Sequence, residues 1–349
     1  MTELTILDIG SFRSDPSTAA GRRFAEALCD ALRDIGFAHI VGHGVDADLA
    51  AVVQLHSRAF FALDEEHRRA IRNTNSPHFR GYTVLGHERT GGSPDWRDQI
   101  DVGPEGVGVE IGQGDPAWLR LRGPNQWPAE IPELRVVVLE WMRQMQALAD
   151  DTLRAIAVGL GQRIDFFDAA VQQPHSVTKI IRYPPSPSTS PSAEGDAAGQ
   201  GVGWHQDGGL LTFIHQDDVG GLQVALPARA GGEVIDATPV PGAYLLNLGE
   251  MLQLATAGYL KATRHRVVSP PAGRQRLSIA FFANPNLEAT LPSVELPAEL
   301  AAQTDGGQND DAGDAVHAVF GDNFMKFRMR SHPDVAAIHH ADLLSQVTP

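Results

Sequence analysis

Residues 204–224 read WHQDGGLLTFIHQDDVGGLQV, and this stretch does most to define the fold. An apolar run over Leu210–His215 lies between two glycine pairs, Gly208-Gly209 and Gly220-Gly221, which favour turns. A second short apolar run, Leu222–Leu226, follows directly. Apolar runs of this length between turn residues are typical of β-strands rather than of helices.

The same pattern extends in both directions from this stretch. Short apolar runs alternate with turns that contain Pro or Gly, and these runs are Val177–Tyr183, Ala243–Leu248, Arg266–Val268 and Leu277–Phe282. Many short strands with frequent turns indicate a β-sandwich or a jelly roll.

Helical periodicity dominates the N-terminal part of the chain instead. Apolar side chains recur at intervals of three and four residues over Thr18–Arg33, Asp46–Leu63 and Pro132–Leu160, which predicts three helices. Phe37–Val41 predicts a strand between the first two. The stretch from Asn73 to about Trp127 is punctuated by Gly and Pro, and it predicts loops and short strands.

The order of these elements predicts one domain over residues 1–349. We expect a helical and mixed N-terminal part (1–165) that packs on a jelly-roll core (175–285), followed by a C-terminal loop and helix (286–349). Two polar segments, Pro185–Gly203 and Thr304–Asp314, predict mobile surface loops. The last helix is expected from about Asp314 to Arg330.

Histidine and aspartate two residues apart can reach one metal ion from the same face of a strand. The pair alone identifies nothing here, because the chain contains four: His205/Asp207, His215/Asp217, His332/Asp334 and His340/Asp342. Position favours the first pair, which opens the Leu210 run and is followed by His265 at the start of a later strand. Two imidazoles and one carboxylate on one side of an ion suit the iron(II) of oxygenases. The sequence therefore predicts an iron site of His205, Asp207 and His265.

Arg276 and Ser278 lie shortly after His265 and face the same way on one predicted strand. An arginine fork can bind a carboxylate through two parallel hydrogen bonds, and a serine hydroxyl can add a third. Such a pair can hold the distal carboxylate of 2-oxoglutarate in a site that opens inwards.

Residues 204–224 resemble the iron-binding core of the isopenicillin N synthase-like 2-oxoglutarate oxygenases. Further stretches continue the resemblance in the same order, and they are Gly36–Gly44, Asn247–Glu250, Thr263–Val267 and Arg276–Phe282. The resemblance covers about residues 5 to 335, and it includes some likeness to the bacterial ethylene-forming branch.

The resemblance implies a double-stranded β-helix, the cupin-like jelly roll, with flanking helices. It implies iron ligation by His205, Asp207 and His265 and a 2-oxoglutarate clamp of Arg276 and Ser278, with Tyr183 also at the cosubstrate. Ile181 stands where many plant relatives have asparagine, so the contact there differs. The implied reaction consumes dioxygen and 2-oxoglutarate, releases succinate and carbon dioxide, and hydroxylates, desaturates or cyclises a small molecule.

Four residues are candidates for contact with the substrate. Arg80 and Tyr82 occur in a Phe-Arg-Gly-Tyr stretch that often lies over the active site in such enzymes. Phe282 follows the arginine clamp, and Arg330 resembles a substrate-facing arginine of the ethylene-forming branch. If both arginines face the pocket, the substrate carries an acidic group.

Three alternatives stay open from the sequence. An iron oxidase of the isopenicillin N synthase type would use no 2-oxoglutarate, and its arginine would bind the substrate instead. A non-catalytic binding protein on the same barrel would be expected to lack a metal ligand, and none is missing here. A zinc hydrolase would need a general-base glutamate close to the histidines, which the sequence does not offer.

Composition narrows the partners and the compartment. A formal net charge of −15 over 349 residues argues against nucleic acid or an anionic membrane as a main partner. The single cysteine, Cys29, is compatible with a reducing cytoplasm, and the start at Met1 lacks the pattern of a signal peptide. We expect a cytoplasmic, monomeric enzyme of specialised metabolism such as antibiotic biosynthesis.

Overall fold

The computed structural model describes residues 3–185, 200–304 and 316–344. Its helices are Gly10–Ser14 (α1), Ala19–Asp34 (α2), Ala47–Ala62 (α3), Glu65–Ala70 (α4), Glu133–Gly159 (α5), Glu250–Ala255 (α6), Ala298–Ala301 (α7), Phe320–Ser331 (α8) and Pro333–His339 (α9). Its strands are Ile6–Asp8 (β1), Phe37–Val41 (β2), Gly81–Thr83 (β3), Arg89–Thr90 (β4), Ser93–Pro94 (β5), Asp98–Val102 (β6), Val177–Tyr183 (β7), Gln200–His205 (β8), Leu211–Gln216 (β9), Leu222–Ala225 (β10), Val234–Asp236 (β11), Tyr244–Leu248 (β12), His265–Val268 (β13) and Arg276–Ala283 (β14).

Two sheets form the core of the molecule. The larger sheet has the strand order β1-β2-β12-β9-β14-β7-β6-β3, and the smaller has the order β11-β10-β13-β8. One apolar cluster contains side chains of both sheets, including Ile181, Ile214, Val224 and Val267, so the sheets face each other across a common interior. This arrangement agrees with the predicted jelly roll with flanking helices.

The helices cover the outer face of the larger sheet. The longest, α5, buries Leu134, Val138, Met142, Met145 and Leu148, which recur at intervals of three and four residues as the sequence predicts. Side-chain caps start the two preceding long helices. The Thr18 hydroxyl accepts a hydrogen bond from the Gly21 amide, and the Asp46 carboxylate accepts from the Asp48 and Leu49 amides.

The N-terminal part does more than pack on the barrel, because it supplies strands to the larger sheet. β1 and β2 extend one edge of that sheet, and β3 and β6 extend the other. β6 pairs with β7 over five residues and is fully buried, so the region between Asn73 and Trp127, predicted as loops and short strands, contributes a strand to the larger sheet. Arg97, the residue just before β6, reaches the candidate functional site.

Two boundaries predicted from the sequence are wrong. Residues 200–203 belong to strand β8 rather than to a loop, and His205 ends this strand instead of opening the next one. The cause is close packing, since a Cβ atom on Gly201 would lie 2.8 Å from the Val267 carbonyl oxygen of β13. The glycines that suggest a loop are required by strand pairing. The other predicted loop segments, 186–199 and 305–314, lie outside the described residues.

The last long helix also begins later than expected. α8 starts at Phe320, because Val319 is extended and forms a β-bridge with Thr290. Asp314 itself is outside the described residues.

Candidate metal centre

Pairing of β8 with β13 brings two histidines together. His205 and His265 are direct partners in the antiparallel register, and their ring centroids are 4.2 Å apart. Asp207 follows β8 by two residues, and its Oδ1 lies 3.7 Å from Nε2 of His205 and 3.9 Å from Nε2 of His265. One ligand atom from each of the three residues lies within 4.8 Å of the other two.

Backbone carbonyls fix the orientation of both imidazoles. Nδ1 of His205 lies 2.8 Å from the Gly203 oxygen, and Nδ1 of His265 lies 3.1 Å from the Thr263 oxygen. A carbonyl oxygen only accepts, so each Nδ1 carries the proton and donates. In the neutral rings Nε2 is therefore an unprotonated acceptor, and both Nε2 atoms face Asp207.

The carboxylate of Asp207 is held from the opposite side. Its Oδ2 accepts hydrogen bonds from the Thr212 hydroxyl at 2.5 Å and from the Asn247 side-chain amide at 2.7 Å. Oδ1 is left to face the histidines. Thr212 lies on β9 and Asn247 on β12, so the larger sheet orients a ligand that follows a strand of the smaller one.

The electrostatics of the three residues favour a bound cation. Burial, followed by the charge of His265, lowers the pKa of His205 to about 3, so its ring is neutral. Burial alone raises the pKa of Asp207, but the two histidines and the bonds from Asn247 and Thr212 outweigh it and the pKa is lowered. Two imidazole nitrogens and an ionised carboxylate thus converge. This donor set fits a divalent metal ion, and two nitrogens with one carboxylate fit iron(II).

The other three His-x-Asp pairs have structural contacts instead. Asp217 accepts a hydrogen bond from the Leu277 amide at 2.6 Å, and Asp342 pairs with Arg120 at 2.7 Å. Asp334 lies within 3.5 Å of Arg72. Among the described residues, only His205, Asp207 and His265 form a group of His, Cys, Asp or Glu ligands close enough to share a metal ion.

A small cavity of about 50 Å³ lies next to the three residues, between the two sheets. Arg276, Ser278 and Tyr183 line it, together with His205, Asp207 and His265. Arg276 is 1% exposed and donates to the Ser278 hydroxyl at 3.1 Å and to the Gln216 side chain at 3.0 Å. Its guanidinium lies 4.8 Å from the centre of the Tyr183 ring. No carboxylate in the described parts of the chain pairs with Arg276, so a buried cation is available for an anionic ligand.

A larger cavity of about 490 Å³ opens on the other side of His205 and Asp207. The β4–β5 hairpin lies on one side of it, and helix α8 contributes Phe324, Phe327 and Arg328 on another. Phe282 lines both cavities, and so does Arg97. Arg330 lines the larger cavity from its exposed edge. The structure thus places Phe282 and Arg330 at the wall of this cavity, where their contact with a substrate remains a prediction.

Arg80 and Tyr82 do not line either cavity, which corrects the expectation that they face the substrate. The Tyr82 hydroxyl donates to Asp98 at 2.8 Å inside the scaffold. Arg80 is 1% exposed, and it donates to Nε2 of His175 at 3.1 Å. Both residues lie at the buried edge of the larger sheet, where β3 pairs with β6. Tyr82 is in β3, and Arg80 directly precedes this strand.

Sequence reasoning missed several charged residues that line the larger cavity, and those of them that are buried are Glu88, Arg97, Lys179 and Arg328. Lys179 alone carries a signal in the sequence, because it interrupts the apolar alternation of β7 on the face shared with Val177, Ile181 and Tyr183. The other three lie in segments with no distinctive pattern.

Family models match two parts of the chain. Residues 4–130 match the N-terminal region described as non-haem dioxygenase in morphine synthesis, and residues 174–285 match the 2OG-Fe(II) oxygenase superfamily. The second match contains the three candidate ligands and Arg276 of the small cavity.

No helix among the described residues is long and apolar enough to cross a membrane.

Two similar proteins align with most of this chain. A 2-oxoglutarate-dependent dioxygenase from Dothideomycetidae sp. is 34% identical over 95% of this chain and 90% of its own length. A homoarginine-6-hydroxylase from Arabidopsis thaliana is 33% identical over 84% of this chain and 88% of its own.

Solved structures show the same architecture. A 2OG-Fe(II) oxygenase family protein from Caulobacter crescentus superposes with a TM-score of 0.72 at 26% identity, covering 95% of this chain and 99% of the other. A full-length Neurospora crassa protein in complex with α-ketoglutarate (2-oxoglutarate) also has a TM-score of 0.72, at 25% identity, covering 93% and 96%.

Proposed function

Because this chain belongs to the 2-oxoglutarate- and iron(II)-dependent oxygenase superfamily, we propose that His205, Asp207 and His265 hold its iron(II). We also propose that Arg276 and Ser278 bind the distal carboxylate of 2-oxoglutarate, with Tyr183 beside it. The protein is an iron(II)- and 2-oxoglutarate-dependent dioxygenase that acts on small molecules. The substrate is proposed to occupy the larger cavity, against Phe282 and Arg330.

One observation carries the assignment of the ligands. Two imidazole nitrogens and a carboxylate oxygen point at one another within 4.8 Å, although all three are hydrogen-bond acceptors. The carbonyls behind both histidines hold Nδ1 as the donor of each ring, so both Nε2 atoms are directed at the carboxylate of Asp207. A divalent metal ion accepts all three as ligands.

Different residues of the chain have different proposed roles in the reaction. When bound, iron(II) supplies the activation of dioxygen, coupled to oxidation of 2-oxoglutarate to succinate and carbon dioxide. Arg276 orients the cosubstrate through a charged, bidentate contact in a cavity too small for bulk water. Thr212 and Asn247 keep one oxygen of Asp207 directed at the histidines. Phe282 stands between the two cavities and presents an apolar wall to both.

The alternative of an oxidase without 2-oxoglutarate is less well supported. It would leave Arg276 to the substrate, yet the cavity at Arg276 is small and the substrate-sized cavity lies elsewhere. Similar proteins named 2-oxoglutarate-dependent dioxygenases also favour the cosubstrate. A non-catalytic role is disfavoured because all three ligands are present.

The reaction is proposed to be a hydroxylation, with desaturation or ring formation as the other outcomes open to this chemistry. Plant relatives named homoarginine-6-hydroxylases make L-homoarginine the first compound to try. We further propose a cytoplasmic monomer in specialised metabolism such as antibiotic biosynthesis, with no nucleic-acid or membrane partner. The single cysteine, the net charge of −15 and the resemblance to isopenicillin N synthase-like enzymes support this.

Anaerobic mixing of the metal-free protein with iron(II) and 2-oxoglutarate tests the assignment. We expect a visible metal-to-ligand charge-transfer band in the wild type that is lost in His205→Ala. With iron(II) and oxygen, succinate should form from 2-oxoglutarate. A wild-type protein that binds iron(II) but gives no band would refute the cosubstrate site at Arg276.

A further inference from the structure

Seven buried charged side chains form a cluster beside the larger cavity. We call them the buried charge cluster, and they are Arg80, Glu88, Asp95, Arg97, Asp101, Lys179 and Arg328. Each is less than a tenth exposed. Arg97, Glu88, Lys179 and Arg328 reach the cavity wall, whereas the other three lie behind it.

Ion pairs connect most of the cluster. Lys179 Nζ lies 2.5 Å from one oxygen of Glu88, and Arg97 lies 3.2 Å from the other. Arg97 also pairs with Asp95 at 3.0 Å, and Arg328 pairs with Asp101 at 2.8 Å. These contacts lower the pKa of Glu88 against the effect of its burial, so it is ionised.

The cluster nevertheless has an excess of positive charge. Four cationic side chains share it with three carboxylates, and in the described structure no carboxylate lies within ion-pairing distance of Arg80. Burial and the neighbouring Arg328 lower the pKa of Arg80 to about 9, which still leaves it charged at neutral pH. Burial raises the pKa of Asp95, so any protonation there makes the excess larger.

Neighbouring histidines do not cancel or add to this charge. His332 lies 3.6 Å from Glu88, but burial lowers its pKa to about 4. His175 next to Arg80 also has a pKa well below its usual value, because it is buried and surrounded by arginines. Both rings are neutral at pH 7, so the net charge of the cluster is one positive unit.

Two arginines on the cavity wall have hydrogen-bonding positions that the described residues leave unfilled. The Nε atoms of Arg97 and Arg328 are buried and have no hydrogen-bond partner among the described residues. Both side chains line the cavity that also contains His205 and Asp207. A buried net charge with unsatisfied donors is costly unless a ligand completes it.

We propose that the substrate is a small organic acid whose carboxylate binds to Lys179, Arg97 and Arg328 in the larger cavity. This rests on the proposed function, because it places the substrate in the cavity next to the iron site. A monocarboxylate supplies one negative charge, which matches the excess of the cluster, and its oxygens can accept hydrogen bonds from the cationic side chains on the cavity wall. Phe282 and Phe324 provide apolar surface for the rest of the molecule.

Binding of matched compounds to an inactive complex tests the proposal. The protein is loaded with Zn(II) and N-oxalylglycine, an analogue of 2-oxoglutarate that fills the site at Arg276. Calorimetry then compares phenylacetate, hexanoate and L-homoarginine with the amide of each. We expect at least one acid to bind about tenfold or more tightly than its amide, as expected for a desolvated charge pair.

Two substitutions of opposite charge separate a binding role from a structural one. Lys179→Met should weaken binding of that acid about tenfold or more and leave its amide unchanged, whereas Glu88→Gln should tighten the acid. A merely structural pair would give losses in both variants. The double variant, Lys179→Met with Glu88→Gln, keeps the wild-type net charge. It replaces Lys179→Met in the binding comparison if the single variant does not fold.

The outcomes distinguish this inference from the proposed function. If the wild type gives the iron(II)–2-oxoglutarate band but no acid of the panel binds more tightly than its amide, the carboxylate site is refuted and the oxygenase assignment stands. Equal weakening of acid and amide in the lysine variants also refutes it. Absence of the band refutes the proposed function itself.

Discussion

The two cavities beside His205 and Asp207 are built in opposite ways. The smaller one, about 50 Å³, is formed mainly by strands of the jelly roll, and its Arg276 is oriented by two neutral side chains. The larger one, about 490 Å³, is formed by the β4–β5 hairpin and helix α8 together with residues of β7, β8 and β14, and part of the buried charge cluster lies on its wall. The small cavity suits one fixed ligand. The ligand of the large cavity can differ when the elements outside the barrel differ, because they form part of its wall.

This contrast predicts that substitutions will separate into three groups. Changes at the metal ligands should affect both cavities, changes at Arg276 only the small one, and changes at Lys179 or Glu88 only the large one. Each of the following substitutions tests one part of that division.

Asp207→Ala should have the largest effect, because it removes the ligand that both histidines face. We expect loss of iron binding, of the anaerobic band and of succinate formation. Asp342→Asn is the matched control, since it alters the aspartate of another His-x-Asp pair. The side chain of Asp342 is 57% exposed. If the control loses iron to the same degree, the choice of pair is wrong.

Arg276→Gln should act on the small cavity alone. Removing one partner of a buried charge pair costs about 2 kcal/mol or more, so the KM for 2-oxoglutarate should rise about 30-fold or more. Binding of the substrate to the loaded enzyme should change little. Arg274→Gln, two positions earlier and half exposed, is the control and should leave the KM unchanged. An unaltered KM in Arg276→Gln would contradict the clamp.

Asn247→Ala should have a smaller effect, on the orientation of Asp207. Groups that orient a metal ligand typically change metal affinity by about 10- to 100-fold, and the loss of the 2.7 Å hydrogen bond should weaken iron binding within that range. The KM for 2-oxoglutarate measured at saturating iron should stay close to that of the wild type. Titration of the metal-free protein with iron(II) measures the effect, and unchanged affinity would show that Thr212 alone suffices.

His332→Gln should alter only the acid sensitivity of the region behind the large cavity. The folded-state pKa of about 4 lies below the ordinary 6.5, so this histidine stabilises the fold above pH 6.5 and that contribution is lost as pH falls towards 4. Between pH 7 and pH 5 the wild type should lose about 2 kcal/mol more than the variant in unfolding free energy. Chemical denaturation of the metal-free protein measures this. His87→Gln, on an exposed histidine, is the control, and equal pH dependence in wild type and His332→Gln would contradict the prediction.

The sequence predicted the small cavity far better than the large one, for a physical reason. Arg276 and Ser278 share one strand, and His265 begins another, so alternation on strands suffices to place them together. Lys179, Glu88 and Arg328 come from three distant segments, and only tertiary packing makes them neighbours. Arg80 and Tyr82 misled for the same reason, since their sequence context gives no information about which side of the sheet edge they occupy.

Strand β8 shows a different limit of sequence reasoning. Its glycines at 201 and 203 lower the apparent strand propensity, yet close approach to β13 requires Gly201. Helices α2, α3 and α5 and the central strands were predicted to within a few residues because their apolar patterns are strong.

The direct pairing of His205 with His265 across β8 and β13 also governs when the protein can acquire iron during its synthesis. The two ligands are separated by 60 positions, and neither strand has the other as a partner until the ribosome has released residue 268. A nascent chain that carries only the His205 half of the site therefore offers the cell's labile iron two ligands at most. The complete set of ligands is thus available only after His265 has emerged, and the ion, once bound, links two strands that are distant in the chain.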